Sequence, residues 1–191
     1  MREKLLENII KQRLSEKRFK HSIGVAETAK AYAKILGTDT QKAYMAGLVH
    51  DIAKEMPFDE MLELCKKGNV MPDNEELKNK ALLHAPAGAA MLESLGIEDE
   101  DIKNAVRYHT VGRRGMSTLE KIIYLADMLE PSRVYPEVDM LRQKVSENFD
   151  EAFRDALRFS IIWNMEKGRV VHEGTLHAYN EITEERNEQS I

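Results

Sequence analysis

The sequence holds a single cysteine, Cys65. It can form no internal disulfide and no cysteine cluster for zinc, and a lone thiol suits a reducing compartment, so a cytoplasmic location is expected. Long apolar runs are also missing. No stretch approaches the roughly 20 apolar residues needed to cross a bilayer. The first fifteen residues interleave Arg2, Glu3, Lys4 and Glu7 with apolar positions, unlike a signal peptide. No membrane partner is therefore expected. Aromatic residues are scarce, at 6% of the chain, so a core must rest on Leu, Ile, Val, Ala and the ten Met, read as gap fillers. There is no excess of positive charge. A formal net charge of −5 argues against a nucleic-acid partner. It leaves room for an anionic small molecule, because a metal and a few Lys or Arg reverse the field locally.

What remains is the composition of a folded protein, with 42% hydrophobic and 32% charged residues among 191. No linker, repeat or low-complexity segment divides it. One domain over residues 1–191 is expected, with 184–191 as a frayed tail.

Apolar residues recur at helical spacing through most of the chain, and alternating runs are scarce, so the fold class is all-α. A first helix covers Arg2 to Leu14, with Leu6, Ile9, Ile10 and Leu14 on one face. A second runs from Arg18 to Gly37, and a third from the cap Asp39 to Lys54. Pro57 opens a helix ending at Gly68, and Asp73 caps one reaching Leu83. Pro86 opens the next, which ends at Gly96. Asp99 to Tyr108 follows. Ser117 and Glu120 form a capping box for the helix carrying Ile122, Ile123, Leu125 and Leu129. Pro136 opens a short helix, Asp150 to Lys167 form a long one, and Thr175 caps the last.

Four histidines and two aspartates stand out on this frame. His21 shares a helix face with Val25, Ala29 and Tyr32. His50 shares one with Ala43, Ala46 and Gly47, narrow enough for another helix to approach closely. His109 follows Ile102, Ala105 and Val106 at the same spacings, and Asp127 lies in a run of apolar residues. Each alone reads as a core histidine or a surface acid. Together they aim imidazoles from three helices and a carboxylate from a fourth toward one core, and a metal ion satisfies such groups at once. Imidazole with carboxylate suits iron, manganese, nickel or zinc rather than calcium. Asp51, about 100° round a helix from His50, can close the same ion or bridge to a second.

The text around these residues resembles the HD superfamily of metal phosphohydrolases, and within it the YqeK family of symmetrical diadenosine tetraphosphate hydrolases. The matching segments are KRFKHSIGVAETAKAYAKILG from Lys17, KAYMAGLVHDIAK from Lys42 and LLHAPAGAAM from Leu82. VRYHTVGRRGMSTLEKIIYLADMLEPSR from Val106 and GTLHAYN from Gly174 follow in the same order. The chain departs at Val171-His172-Glu173, where the family would place an Ile or Leu and a proline-containing turn. The resemblance implies an all-helical HD domain that hydrolyses diadenosine tetraphosphate to two ADP. It implies His21, His50, Asp51 and Asp127 as metal ligands, with iron as the metal. His84 and His109 would contact phosphate or hold a second metal bridged by Asp51, the former being preferred. Asp51, His84 and His109 are the candidate catalytic groups: Asp51 to orient or deprotonate water, a histidine to protonate the leaving ADP. Candidate substrate contacts are His21, Lys54, His84, His109, Thr110, Asp127, Arg133 and Thr175. Lys54 and Arg133 are the expected phosphate clamps, and Arg113 and Arg114 either reach distant phosphates or stay solvated. Trp163 is read as core, with adenine stacking as the alternative, and His172 is read as a loop residue and His177 as a surface one, with nucleotide contact as the alternative for each. The partner implied is a nucleotide, and a homodimer is compatible. Rival readings are another HD nucleotide phosphohydrolase, such as a nucleotidase or cyclic-nucleotide phosphodiesterase, and a non-catalytic nucleotide sensor.

Overall fold

In the computed structural model, which describes residues 2–189, helix follows helix from end to end. The α-helices are α1 (Arg2–Arg13), α2 (Glu16–Ile35), α3 (Thr40–Val49), α4 (Phe58–Lys67) and α5 (Lys80–Met91). They continue with α6 (Glu100–Tyr108), α7 (Thr118–Leu129), α8 (Val138–Glu147), α9 (Phe149–Glu166) and α10 (Glu173–Gln189). Short 3₁₀ segments occupy Glu76–Lys78 and Leu92–Leu95, and no strand occurs among the described residues. No described helix is long and apolar enough to cross a membrane.

Helix starts follow the caps. Asp39 accepts the Gln41 and Lys42 amides, each at 2.9 Å, and Asp99 accepts those of Asp101 and Ile102 at 3.0 and 3.2 Å. The Ser117–Glu120 capping box forms in both directions. One contiguous hydrophobic core links Leu6 of α1 to Ile182 of α10. One close seam is between α2 and α3. There a Cβ on Gly47 would lie 2.8 Å from the Cα of Ala26, so only glycine allows this approach.

Several boundaries differ from the sequence expectation. Helix α3 stops at Val49 instead of Lys54. The His50 Nδ1–H donates to the Gly47 carbonyl at 2.6 Å, taking the acceptor the next helical amide would use, and the chain tightens into turns through residue 55. Asp73 caps only the 3₁₀ turn. Asn79 caps α5 by accepting the Ala81 amide at 2.9 Å, so Pro86 lies inside that helix rather than opening it. Proline costs a helix interior one hydrogen bond, but Leu83 through Ala89 are all buried, and that packing prevails. His84 is accordingly helical. Thr175 is not a cap: α10 begins two residues earlier, and the buried Thr175 hydroxyl donates to the Val111 carbonyl at 2.8 Å. His172 lies just before that start. Its Nε2–H donates to Asp73 at 2.7 Å while Nδ1 accepts the Gly174 amide at 3.0 Å. The expected tail from residue 184 is helical through Gln189, with Glu184 accepting from Arg114 at 2.9 Å; residues 190 and 191 lie outside the described residues.

Two further expectations are corrected. Trp163 is not core but 41% exposed on α9, and Met71, Met140 and Met165 are solvent-facing rather than gap fillers. Trp163, Met140 and Met165 sit on outward helix faces and Met71 in the loop after α4, and composition alone does not distinguish such positions from inward ones.

Candidate metal centre

Five helices converge on one buried point. Helix α2 supplies His21 from its first turns, and α3 ends on His50 with Asp51 immediately after. Helix α5 supplies His84, α6 ends on His109, and α7 supplies Asp127. The four imidazoles and Asp51 are buried, His50 and His84 completely.

The imidazoles are anchored from behind. His21 Nδ1 donates to Glu130 at 3.0 Å, His50 Nδ1 to the Gly47 carbonyl at 2.6 Å and His109 Nδ1 to the Val106 carbonyl at 2.8 Å. Since carboxylates and carbonyls only accept, each of these Nδ1 atoms carries a proton, and each ring turns its Nε2 inward. Those Nε2 atoms face carboxylates. His21 Nε2 is 3.0 Å from Asp127 Oδ1 and 3.7 Å from Asp51 Oδ2, and His50 Nε2 is 3.4 Å from Asp51 Oδ2. On its other oxygen Asp51 meets His84 Nε2 at 2.9 Å and His109 Nε2 at 3.7 Å, with 3.1 Å between the two Nε2 atoms. His21 Nε2, His50 Nε2 and Asp51 Oδ1 are buried without a hydrogen-bond partner. A cation satisfies imidazole nitrogens and carboxylates gathered in a dry core all at once. The donor set fits a transition-metal ion, with His21, His50 and Asp127 in one group and His50, Asp51 and His109 in an overlapping one.

The electrostatics agree. Burial alone would raise the Asp51 and Asp127 pKa values. The His50 charge with bonds from His109, His50 and His84 holds Asp51 well below the usual range, and His21, His50 and Arg133 do so for Asp127. Burial works to lower the His50 pKa, and the Asp51 charge and bond, with Asp127 and the Gly47 carbonyl, together outweigh it and raise the value. Burial dominates at the other two rings. His84 is pushed down to about 4 and His109 is lowered, so both are neutral at pH 7. A neutral imidazole is the form that binds a metal.

Cations ring the cluster. Lys54 Nζ lies 3.2 Å from His84 Nε2 and 3.8 Å from Asp51 Oδ1, its pKa lowered by burial. Arg133 donates from Nε to the Asp127 carbonyl at 2.7 Å and from its terminal nitrogen to Asp127 Oδ1. It thus holds a cluster carboxylate as well as facing the adjoining cavity. Thr110 Oγ1, next to His109, is buried without a partner. The structure does not bring Thr175 to this group. Arg113 is committed to a bidentate bond with buried Glu120 at 2.7 and 3.0 Å, and Arg114 pairs with Glu181 and Glu184. His177 is exposed, as expected.

Two members are absent from the sequence reading. Arg18 donates to Asp51 Oδ2 at 2.8 Å, and Glu130 orients His21 while accepting the Ser132 amide at 2.8 Å and its hydroxyl. Both were findable as one-turn neighbours of named residues, Arg18 three before His21 and Glu130 three after Asp127.

The HD domain family matches residues 18–132, the span that holds every member of this cluster but Arg133. The chain belongs to the HD domain family. Beyond the HD domain segment, similarity runs along nearly the full length. The symmetrical bis(5'-nucleosyl)-tetraphosphatase of Bacillus subtilis is 39% identical over 172 residues, covering 90% of this chain and 92% of that protein. The protein of the same name from Halalkalibacterium halodurans is 40% identical over 175 residues, covering 91% and 93%. A crystal structure of a predicted HD superfamily hydrolase involved in NAD metabolism from Clostridium acetobutylicum superposes with a TM-score of 0.90. It is 39% identical in sequence and covers 95% of this chain and 97% of that one.

Proposed function

We propose that this HD domain is a metal-dependent hydrolase that converts diadenosine tetraphosphate to two ADP, acting in the cytoplasm. The observation that carries the metal reading is Asp51, whose two oxygens face two sets of inward-turned Nε2 atoms, with buried acceptors otherwise left unpaired. Full-length similarity to proteins named symmetrical bis(5'-nucleosyl)-tetraphosphatase supports the substrate.

His21, His50, Asp51 and Asp127 would hold the ion, which we take to be iron. When bound, it supplies Lewis acidity and a water acidified toward neutral pH. The chain's own residues do the rest. Glu130, Gly47 and Val106 fix the tautomers of the rings. Asp51, kept ionised, orients water or accepts its proton. Lys54, Arg18 and Arg133 neutralise charge that grows on the phosphoryl oxygens. A water oxygen joins one of the two central phosphorus atoms and the bridging oxygen leaves with the other half, so both products are ADP.

A second reading concerns His84 and His109. Their Nε2 atoms converge on Asp51 Oδ1, which favours a second ion bridged by Asp51 over the phosphate contact expected from sequence. Metal analysis of protein purified without chelator separates the two: two ions per chain support the bridge, one supports the phosphate contact. Nucleotide chromatography tests the activity. ADP as sole product is expected; AMP with ATP, or no turnover by metal-loaded protein, overturns it.

A further inference from the structure

A cavity of about 720 Å³ opens beside the centre, within the usual range for a ligand site. Its lining combines two chemistries. His21, Arg18 and Arg133 belong to the metal cluster or its cationic rim, whereas Tyr135, Phe159 and Trp163 form an aromatic wall. The wall is ordered. Tyr135 stacks on Phe159 with centroids 4.9 Å apart and planes at 20°, and Phe159 stacks on Trp163 at 6.0 Å and 23°. It is tied to the charged part through the chain itself: Tyr135 lies two residues beyond Arg133, which grips Asp127. Phe159 and Trp163 are one turn apart on α9. Aromatics make up only 6% of this chain, yet its sole tryptophan is left 41% exposed here.

We propose that this wall is the base subsite: a purine ring of the nucleotide packs against Phe159 and Trp163 while its phosphates extend to Arg18, Arg133 and the metal centre. The inference rests on the nucleotide hydrolase reading above and adds the residues that recognise the base. A highly anionic group joined to a flat aromatic ring matches a cavity that presents cations and flat rings together. Every base has a π-face, so the wall would tolerate adenine and guanine alike.

The single tryptophan makes the test direct. ADP titrated into the intact protein should quench Trp163 fluorescence saturably, and inorganic pyrophosphate, which lacks a base, should not. Phe159→Ala and Trp163→Ala should each raise KM for diadenosine tetraphosphate by roughly 5- to 150-fold, with kcat changed far less. Wild-type turnover to ADP without any quench, equal quenching by pyrophosphate, or unaltered KM in both variants would overturn the subsite while sparing the hydrolase reading. Emission that follows protein concentration and ignores ADP would assign the wall to a second copy of the chain, and also overturn it. Quenching by ADP in protein that does not cleave diadenosine tetraphosphate would support the subsite and refute the activity.

Discussion

Replacing Gly24 by alanine sets helix propensity against the metal centre, and the structure supplies both terms. Gly24 is interior to α2, where alanine is favoured over glycine by about 1 kcal/mol. The added Cβ would lie 2.8 Å from Glu130 Oε2, whereas ordinary contact begins at 3.4 Å, so the carboxylate must retreat by about 0.6 Å. That carboxylate is not free to swing, because it accepts from His21 Nδ1 at 3.0 Å and from the Ser132 amide at 2.8 Å. The Ser132 amide bond lies on Oε2 itself, and a carboxylate shifted as a whole also draws Oε1 away from His21 Nδ1. Bonds to charged acceptors contribute about 1.5–3 kcal/mol, so a lost bond exceeds the propensity gain by roughly 0.5–2 kcal/mol, and the melting temperature of metal-free protein should fall by a few degrees. Metal affinity should fall about 10- to 100-fold, as for loss of a group orienting a ligand. Competition with a chelating dye measures the affinity, and calorimetry the stability. Glu130→Gln, which keeps an acceptor and removes the charge, should show a weaker form of the same phenotype. Wild-type metal affinity in both variants would refute the claim that Glu130 positions His21.

Other substitutions follow the same geometry. Gly47→Ala should destabilise the fold by about 1–3 kcal/mol despite better helix propensity, because its Cβ meets backbone of α2 that cannot yield; chemical denaturation measures this. Lys54→Ala should keep metal and lose roughly 30- to 1000-fold in kcat. Arg133→Ala should lose activity and also release metal more readily, since Arg133 holds Asp127, and Arg133→Lys should not restore both bonds. Burial pushes the Cys65 thiol up to about 11, so it is protonated at neutral pH and should resist a disulfide reagent in the native protein, reacting once per chain after denaturation.

The sequence made the ligand helices legible because His21, His50 and His109 each share a helix face with small or apolar residues at helical spacing. Caps with a side-chain mechanism, Asp39, Asp99 and Ser117, marked true starts. Proline marked a false one: Pro86 reads as a boundary only until the burial of Leu83 through Ala89 is known. Composition misled for Trp163 in the same way, since periodicity places an aromatic on a helix face without saying whether that face meets the core or a cavity. The two members that were missed have a different cause. Arg18 and Glu130 bear charges near helix ends, where solvated side chains are ordinary, and only the three-dimensional approach of α2 to α7 gives Glu130 its histidine.

Asp51 shows how a local device can overrule a periodic one. On a continued helix it would point about 100° from His50, and its role would depend on that angle. The chain does not continue as a helix, because His50 spends its Nδ1–H on the Gly47 carbonyl. The same bond has two consequences. It fixes the tautomer that turns Nε2 inward, and it occupies the carbonyl that the Asp51 amide would otherwise use, freeing the backbone to tighten. Asp51 then lies between two groups of imidazoles, with a different oxygen toward each, while its bond from Arg18 closes the solvent side. Gly47 serves the arrangement twice, by its carbonyl and by lacking the Cβ that would hold α2, and with it His21, away from the centre. A histidine at the last turn of a helix, three residues after a glycine and just before an aspartate, therefore encodes more than ligand identity: it ends the helix where the carboxylate is needed.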